Sequence, residues 1–215
     1  MNIEVLVADD HAIIRDGLKK ILADTDDMVV AGEATNGVET LEQVRARDWS
    51  VVVLDLSMPG RNGLELIRLI RSERPKLPIL VFSMHSEEQF AVRAIRSGAS
   101  GYLTKESDSD LLLPAIRKVA EGGVYFSQKV MALLAADVSK PAANLPHLRL
   151  TDREFDIFMR IVKGVSPADI AADLSLSVKT VSSHKSHIIE KMGLSSQVEL
   201  VRYAIEHGLL DTNPE

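Results

Sequence analysis

Aspartates, a serine and a lysine stand at the ends of apolar runs, in positions where they could do chemistry together. Asp9-Asp10 closes the run Ile3 to Ala8, Asp55 closes Val51 to Leu54, Ser83 closes Pro78 to Phe82, and Lys105 closes Tyr102 to Thr104. Val51 to Leu54, mostly β-branched, reads as a strand buried on both faces. After Asp55 come Pro59-Gly60 and Asn62-Gly63, which are turn chemistry. An acid at the carboxyl end of a central strand stands where open α/β sheets place their sites. Three carboxylates together repel one another and call for a hard divalent cation. Mg²⁺ suits them, because it takes carboxylate oxygen and bridges to phosphate. A carboxylate can attack phosphorus to give an acyl phosphate. A metal and a lysine ammonium would offset charge on the transferring group, and a serine hydroxyl could bond a phosphoryl oxygen. Asp55 is therefore expected to accept a phosphoryl group.

Each residue alone has a plainer reading. Asp9-Asp10 would suit a helix N-terminus, Ser83 an N-cap, and Lys105 a solvated surface. Their recurrence at successive strand ends is what argues for a site.

Helical spacing fills the gaps between strands. Helices are expected over residues 12–23, around Leu41 and Val44 to about Arg47, over Leu64 to Ile70, over Phe90 to Ile95, and over Leu111 to Val119. A second strand covers Met28 to Ala31, and Asn36-Gly37 reads as a turn. Five β-α units in strict alternation imply a parallel sheet with helices on both faces, in a flavodoxin-like order. All strand ends then lie along one edge.

Asp9-Asp10-His11, Asp55-Leu-Ser-Met-Pro-Gly60, Ser83 and Gly98-Ala-Ser-Gly-Tyr-Leu-Thr-Lys105 together resemble the receiver domain of a two-component response regulator, over residues 1–124. The resemblance implies that Asp55 is the phosphoacceptor. It implies that Asp10, Asp55 and the backbone carbonyl of Ser57 hold Mg²⁺, with Asp9 acting through water. It implies phosphoryl contacts from Ser83 and Lys105, and makes Tyr102 the aromatic switch residue that turns inward as Ser83 moves; an ordinary edge-strand aromatic is the alternative. One departure is Glu106, where many receivers carry proline; this concerns the loop after the fifth strand.

Residues 125–147 change character and read as a linker. Ser127 to Ala136 has the makings of a short helix, and Val138 to Pro146 carries prolines and small residues without periodicity. Four helices with start signals follow in residues 148–215. Thr151-Asp-Arg-Glu154 and Ser196-Gln-Val-Glu199 have capping-box spacing. Ser166-Pro167 places an N-cap before an N1 proline. Ser177 opens Val178 to Met192, and Gly164, Gly193 and Gly208 serve as stops. Two helices joined by the tight turn Ser175-Leu176-Ser177 describe a helix-turn-helix, at about residues 167–186. On the second, Val181, Ile188 and Met192 can face a core. Lys179, Thr180, Ser182, Ser183, Lys185 and Ser186 fall outward, on a face suited to the major groove. A helical interaction module with a solvated Ser-rich face fits that pattern equally. Leu150-Thr-Asp-Arg-Glu154, Gly164-Val-Ser-Pro-Ala-Asp-Ile-Ala171, Ser177 to His184 and Lys191-Met-Gly-Leu194 resemble the LuxR-type helix-turn-helix and favour DNA. His184 and His187, three apart, are taken as DNA or interhelical contacts in preference to a metal pair. The two halves together resemble a NarL/FixJ-type response regulator.

Bulk properties bound the rest. The chain has 215 residues, a net charge of −6 and no cysteine, which excludes disulfides and zinc–thiolate sites and suits a reducing cytoplasm. Residues 1–127 carry −5 and residues 128–215 carry −1, so DNA binding must come from a local basic face, doubled by dimerisation. The start Met1-Asn2-Ile3-Glu4 has no signal-peptide pattern, and no apolar run approaches the ~20 residues that span a bilayer. The expected partners are a sensor histidine kinase, promoter double-stranded DNA and, on phosphorylation, a second copy of the chain, with RNA polymerase a further candidate and no membrane. The expected role is a cytoplasmic transcriptional regulator that is not a turnover enzyme. A phosphatase of the haloacid dehalogenase type needs a second acid two residues after its nucleophile, where this chain has Ser57. A regulator with a vestigial receiver would not need the intact acid set.

Overall fold

The computed structural model describes residues 2–59, 63–139, 145–174, 176–207 and 209–210. Gly60 to Asn62 of the expected turn, Lys140 to Asn144 of the expected linker, Ser175 and the stop residue Gly208 lie outside them. The chain divides into two compact units, at Ala135/Ala136.

The first unit alternates strands and helices: β1 (Ile3–Ala8), α1 (Ala12–Ala23), β2 (Met28–Ala34), α2 (Gly37–Ala46), β3 (Val51–Leu54), α3 (Gly63–Glu73), β4 (Ile79–Ser83), α4 (Glu87–Ser97), β5 (Gly101–Thr104) and α5 (Leu112–Ala120). The strands form one parallel sheet in the order β2-β1-β3-β4-β5, the flavodoxin-like order expected from the alternation. Side chains alternate across a strand. Val5, Val7, Val51 and Val53 therefore pack with Leu18 and Leu22 of α1 and Ile116 and Val119 of α5 in one buried cluster. Leu6, Val52 and Leu54 point to the opposite face and are wholly buried there.

Several boundaries differ from expectation: β4 is Ile79–Ser83 where Pro78 to Phe82 is expected, and α4 starts at Glu87, ahead of the expected Phe90. β2 runs on to Ala34, past Gly32, where a Cβ would collide with the Trp49 ring; the glycine marks close packing within the strand, not its end. Asn36 is the N-cap of α2, its side chain accepting from the N–H groups of Val38 and Glu39 at 3.0 Å each.

After α5 the chain returns along the sheet edge. Tyr125 N–H donates to Ser100 O at 3.0 Å, and Tyr125 O accepts from Tyr102 N–H at 3.1 Å. Helix α6 (Gln128–Ser139) follows. It occupies part of the expected linker and extends past the expected Ala136.

The second unit holds α7 (Asp152–Val162), α8 (Pro167–Asp173), α9 (Val178–Met192) and α10 (Gln197–Glu206), preceded by a 3₁₀ turn at Pro146–Arg149. Thr151 and Glu154 form a full capping box. At α10 only half of one forms. Ser196 accepts from Glu199 N–H, but the Glu199 carboxylate bonds the N–H and hydroxyl of Ser195 at 2.7 and 2.9 Å. No helix among the described residues is long and apolar enough to cross a membrane.

Candidate functional site

Strand register builds the acid site. Ala8 pairs with Leu54 across β1 and β3, so Asp9 and Asp55 leave neighbouring strands side by side. Backbone bonds fix them there: Asp9 N–H to Ala34 O at 3.0 Å and Asp55 N–H to Ala8 O at 2.8 Å. Ser83 pairs with Thr104, and the next N–H, that of Lys105, donates to Ser83 O at 2.8 Å. Asp9, Asp55 and Ser83 are at most 2% exposed.

The Lys105 ammonium bridges the two buried acids, 2.6 Å from Asp9 Oδ2 and 2.8 Å from Asp55 Oδ2. Burial alone would lower its pKa. Hydrogen bonding and charge from Asp55, then Asp9, outweigh that and raise it, so the lysine is a fixed cation. Ser57 N–H donates to Asp55 Oδ1 at 3.1 Å. Carboxylate oxygens of Asp9, Asp10 and Asp55 and a ring nitrogen of His11 all lie within 4.8 Å of one another. Asp10 and His11 form the exposed rim, with His11 Nδ1 3.1 Å from Asp9 Oδ1 and 3.0 Å from Asp10 Oδ1. Three clustered carboxylates are a hard oxygen donor set, and they fit a divalent cation such as Mg²⁺ in a way that a lysine alone cannot satisfy.

Two neighbours were not legible as site residues. His11 enters the sequence pattern only as part of the Asp9-Asp10-His11 motif. His85 was not singled out: its Nε2 lies 3.2 Å from Ser57 Oγ, its N–H donates to Ser83 Oγ at 3.3 Å, and its ring stacks on Phe90 at 4.1 Å. Nothing in the spacing of Ser57 and His85 announces their contact, which arises because β3 and β4 end side by side. Tyr102 lies fully buried, its hydroxyl donating to His85 O at 2.8 Å. Burial, then the charges of Asp55 and Glu87, push its phenol pKa up, which keeps it a neutral donor.

On α9 the buried residues are Val181, Ile188 and Met192. Lys179, Ser182, Ser183 and Ser186 are exposed, and Thr180 and Lys185 half-exposed. The hydroxyls of Ser183 and Ser186 donate back to Lys179 O and Ser182 O at 3.1 and 3.2 Å, which leaves their lone pairs outward as acceptors. The Lys185 ammonium donates to Gln197 Oε1 on α10 at 2.7 Å. Val178, beside Lys179, is an exposed apolar residue on the same helix.

Residues 5–117 match the family described as response regulator receiver domain, and residues 148–204 match the luxR family of bacterial regulatory proteins. The oxygen regulatory protein NreC of Staphylococcus carnosus is 37% identical over 215 residues, covering 97% of this chain and 99% of its own length. The response regulator GacA of Pseudomonas protegens is 37% identical over 212 residues, covering 98% and 99%. Among solved structures, the RcsB response regulator of Salmonella typhimurium aligns with a TM-score of 0.71 at 26% identity, covering 96% of this chain and 98% of that one. RcsB of Salmonella enterica serovar Typhimurium, bound to promoter rprA in the presence of the phosphomimetic BeF3-, aligns with a TM-score of 0.65 at 26% identity, covering 94% and 98%.

Proposed function

Because the chain belongs to the NarL/FixJ type of response regulator, a receiver domain joined to a LuxR-type DNA-binding domain, we propose that it regulates transcription in the cytoplasm and is switched by phosphorylation of Asp55 from a histidine kinase. The observation that carries this reading is the Lys105 ammonium held between Asp55 and Asp9 at the strand-end edge of the sheet. A carboxylate oxygen of Asp55 attacks the phosphorus of a phosphohistidine. The P–N bond breaks, its electron pair returns to the imidazole, and an acyl phosphate remains. Asp9, Asp10, Asp55 and the backbone carbonyl of Ser57 would hold Mg²⁺, which when bound would offset charge on the transferring phosphoryl group. Lys105 supplies a positive charge on the same side, and Ser83 a hydroxyl to a phosphoryl oxygen. Ser57 N–H steadies the Asp55 carboxylate. With no acid at position 57 to activate a leaving group or water, the aspartate is modified once per switching event and does not turn over a substrate.

The added charge draws Ser83 toward the phosphoryl group, on the side where Lys105 already meets Asp55, and repacks the face around Tyr102. A second copy of the chain then pairs with the first, and α9 of each places Lys179, Thr180, Ser182, Ser183, Lys185 and Ser186 in the major groove of a half-site. RcsB provides a parallel, having been seen on promoter DNA with a phosphomimetic present and as dimers on DNA. The test is to incubate the chain and Asp55→Asn with Mg²⁺ and acetyl phosphate, then measure mass, oligomeric size and retention on DNA. Support would be an adduct on the wild type alone, with a shift to dimer and tighter retention. No adduct on the wild type would overturn the reading.

A further inference from the structure

A run of contacts leads from Ser83 to the first turn of α6. Ser83 Oγ accepts from His85 N–H, and His85 O accepts from the Tyr102 hydroxyl. Two residues further on, Glu87 opens α4, and its Oε2 accepts from Ser127 Oγ at 2.6 Å, the short distance of a charge-assisted hydrogen bond. Ser127 also accepts from Val130 N–H at 3.1 Å, so the same hydroxyl caps α6 and binds α4. Val130 is wholly buried. The backbone bonds between Tyr102 and Tyr125 tie the segment before Ser127 to β5.

Ser86 supplies a second observation. It stands at the N-cap of α4, yet its side chain makes no cap bond, and among the described residues its buried hydroxyl has no hydrogen-bond partner. A buried hydroxyl without a partner is disfavoured. The segment Met84 to Glu87 thus holds in reserve a bond that a shifted arrangement can make.

We propose that Glu87 and Ser127 form a latch. It holds the first turn of α6 against α4 while Asp55 is unmodified. Drawing Ser83 toward a phosphoryl group moves Met84 to Glu87, opens the Glu87–Ser127 bond and loosens α6, the helix through which the chain leaves the first unit. This rests on Asp55 being the phosphoacceptor.

The experiment is amide hydrogen exchange on the full chain over residues 128–135, before and after acetyl phosphate and Mg²⁺, with the adduct measured by intact mass in the same samples. In the wild type, exchange rises by roughly tenfold on modification, the ratio that loss of one hydrogen bond to a charged group supports. Glu87→Ala removes the acceptor but keeps the Ser127 cap. It reaches the fast level without modification and rises no further. Ser127→Thr keeps the hydroxyl and behaves as wild type. Unchanged exchange in β1 and β3 shows that Glu87→Ala is folded. An adduct without faster exchange in α6, or wild-type exchange in unmodified Glu87→Ala, overturns the latch. Absence of an adduct counts against the phosphoacceptor reading, and unmodified Glu87→Ala then still decides the latch.

Discussion

The ammonium of Lys105 lies 2.8 Å from Oδ2 of Asp55, and the two side chains are 3% and 0% exposed. The same ammonium meets Asp9 at 2.6 Å, so one buried cation serves two buried anions. Removing one partner of a buried pair strands the other. Lys105→Met is expected to lose about 3–5 kcal/mol in the absence of divalent cation. Mg²⁺ is expected to return part of that loss, because it would be held by the same carboxylates. Thermal unfolding with and without Mg²⁺ checks this, and an unchanged melting temperature without Mg²⁺ would contradict it. Asp55→Asn should cost less, since Lys105 keeps Asp9.

Gly63 is the closest approach behind the loop that follows Asp55. A Cβ there would stand 2.5 Å from Leu56 Cα and 2.7 Å from Leu56 O, both backbone atoms. Backbone cannot yield as a flexible side chain can. Gly63→Ala should destabilise by about 1–3 kcal/mol and slow modification of Asp55 by shifting Leu56 and Ser57. Chemical denaturation and the rate of adduct formation report the two effects separately. A stable variant with normal modification would show that the loop accommodates the methyl group.

The acids and the lysine are readable because strict β-α alternation puts every strand end on one edge: Asp9, Asp55 and Lys105 follow their strands directly, and Ser83 is the last residue of β4. The sheet order followed for the same reason. The contacts of Ser57 with His85, and of Glu87 with Ser127, were not readable. Each joins segments far apart in sequence whose meeting depends on side-chain packing. The expected second strand ends at Ala31, whereas β2 continues to Ala34, with Trp49 packed against Gly32 in a contact that the local sequence does not show. At α10, the spacing of Ser196 and Glu199 could not show that the carboxylate prefers Ser195.

The second unit should carry a pH dependence of its own. Burial alone would raise the Glu154 pKa, but hydrogen bonds from Lys191 and then from the N–H and hydroxyl of Thr151 hold it below the ordinary value of about 4.5. A carboxylate with a depressed folded pKa contributes stability above its unfolded pKa, and loses it as pH falls through the folded value. Amide protection in α7 and α9, taken relative to the intrinsic exchange rate at each pH, should therefore fall below about pH 4.5. Glu154→Gln should remove that dependence and cost about 1 kcal/mol at neutral pH. Equal acid sensitivity in both proteins would assign it to other groups.

On DNA, charge and hydroxyl variants should separate. Lys179→Ala should weaken binding to all sequences and reduce the salt slope by roughly one. Ser182→Ala or Ser186→Ala should change preference among sites, by about 1–3 kcal/mol at a contacted base pair. Titrations on several duplexes at several salt concentrations distinguish these. Identical effects from both variants would mean that α9 contacts only the phosphates. Gln197→Ala tests whether the bond to α10 aims Lys185: it should lower affinity less than Lys185→Ala does.

The most direct test of the central claim is the intact mass of wild type and Asp55→Asn after incubation with acetyl phosphate and Mg²⁺. The expected result is one phosphoryl group on the wild type, hydrolysed at alkaline pH as an acyl phosphate is, and none on Asp55→Asn. An adduct of equal yield on Asp55→Asn, or none on the wild type, would contradict the assignment of Asp55 as the phosphoacceptor.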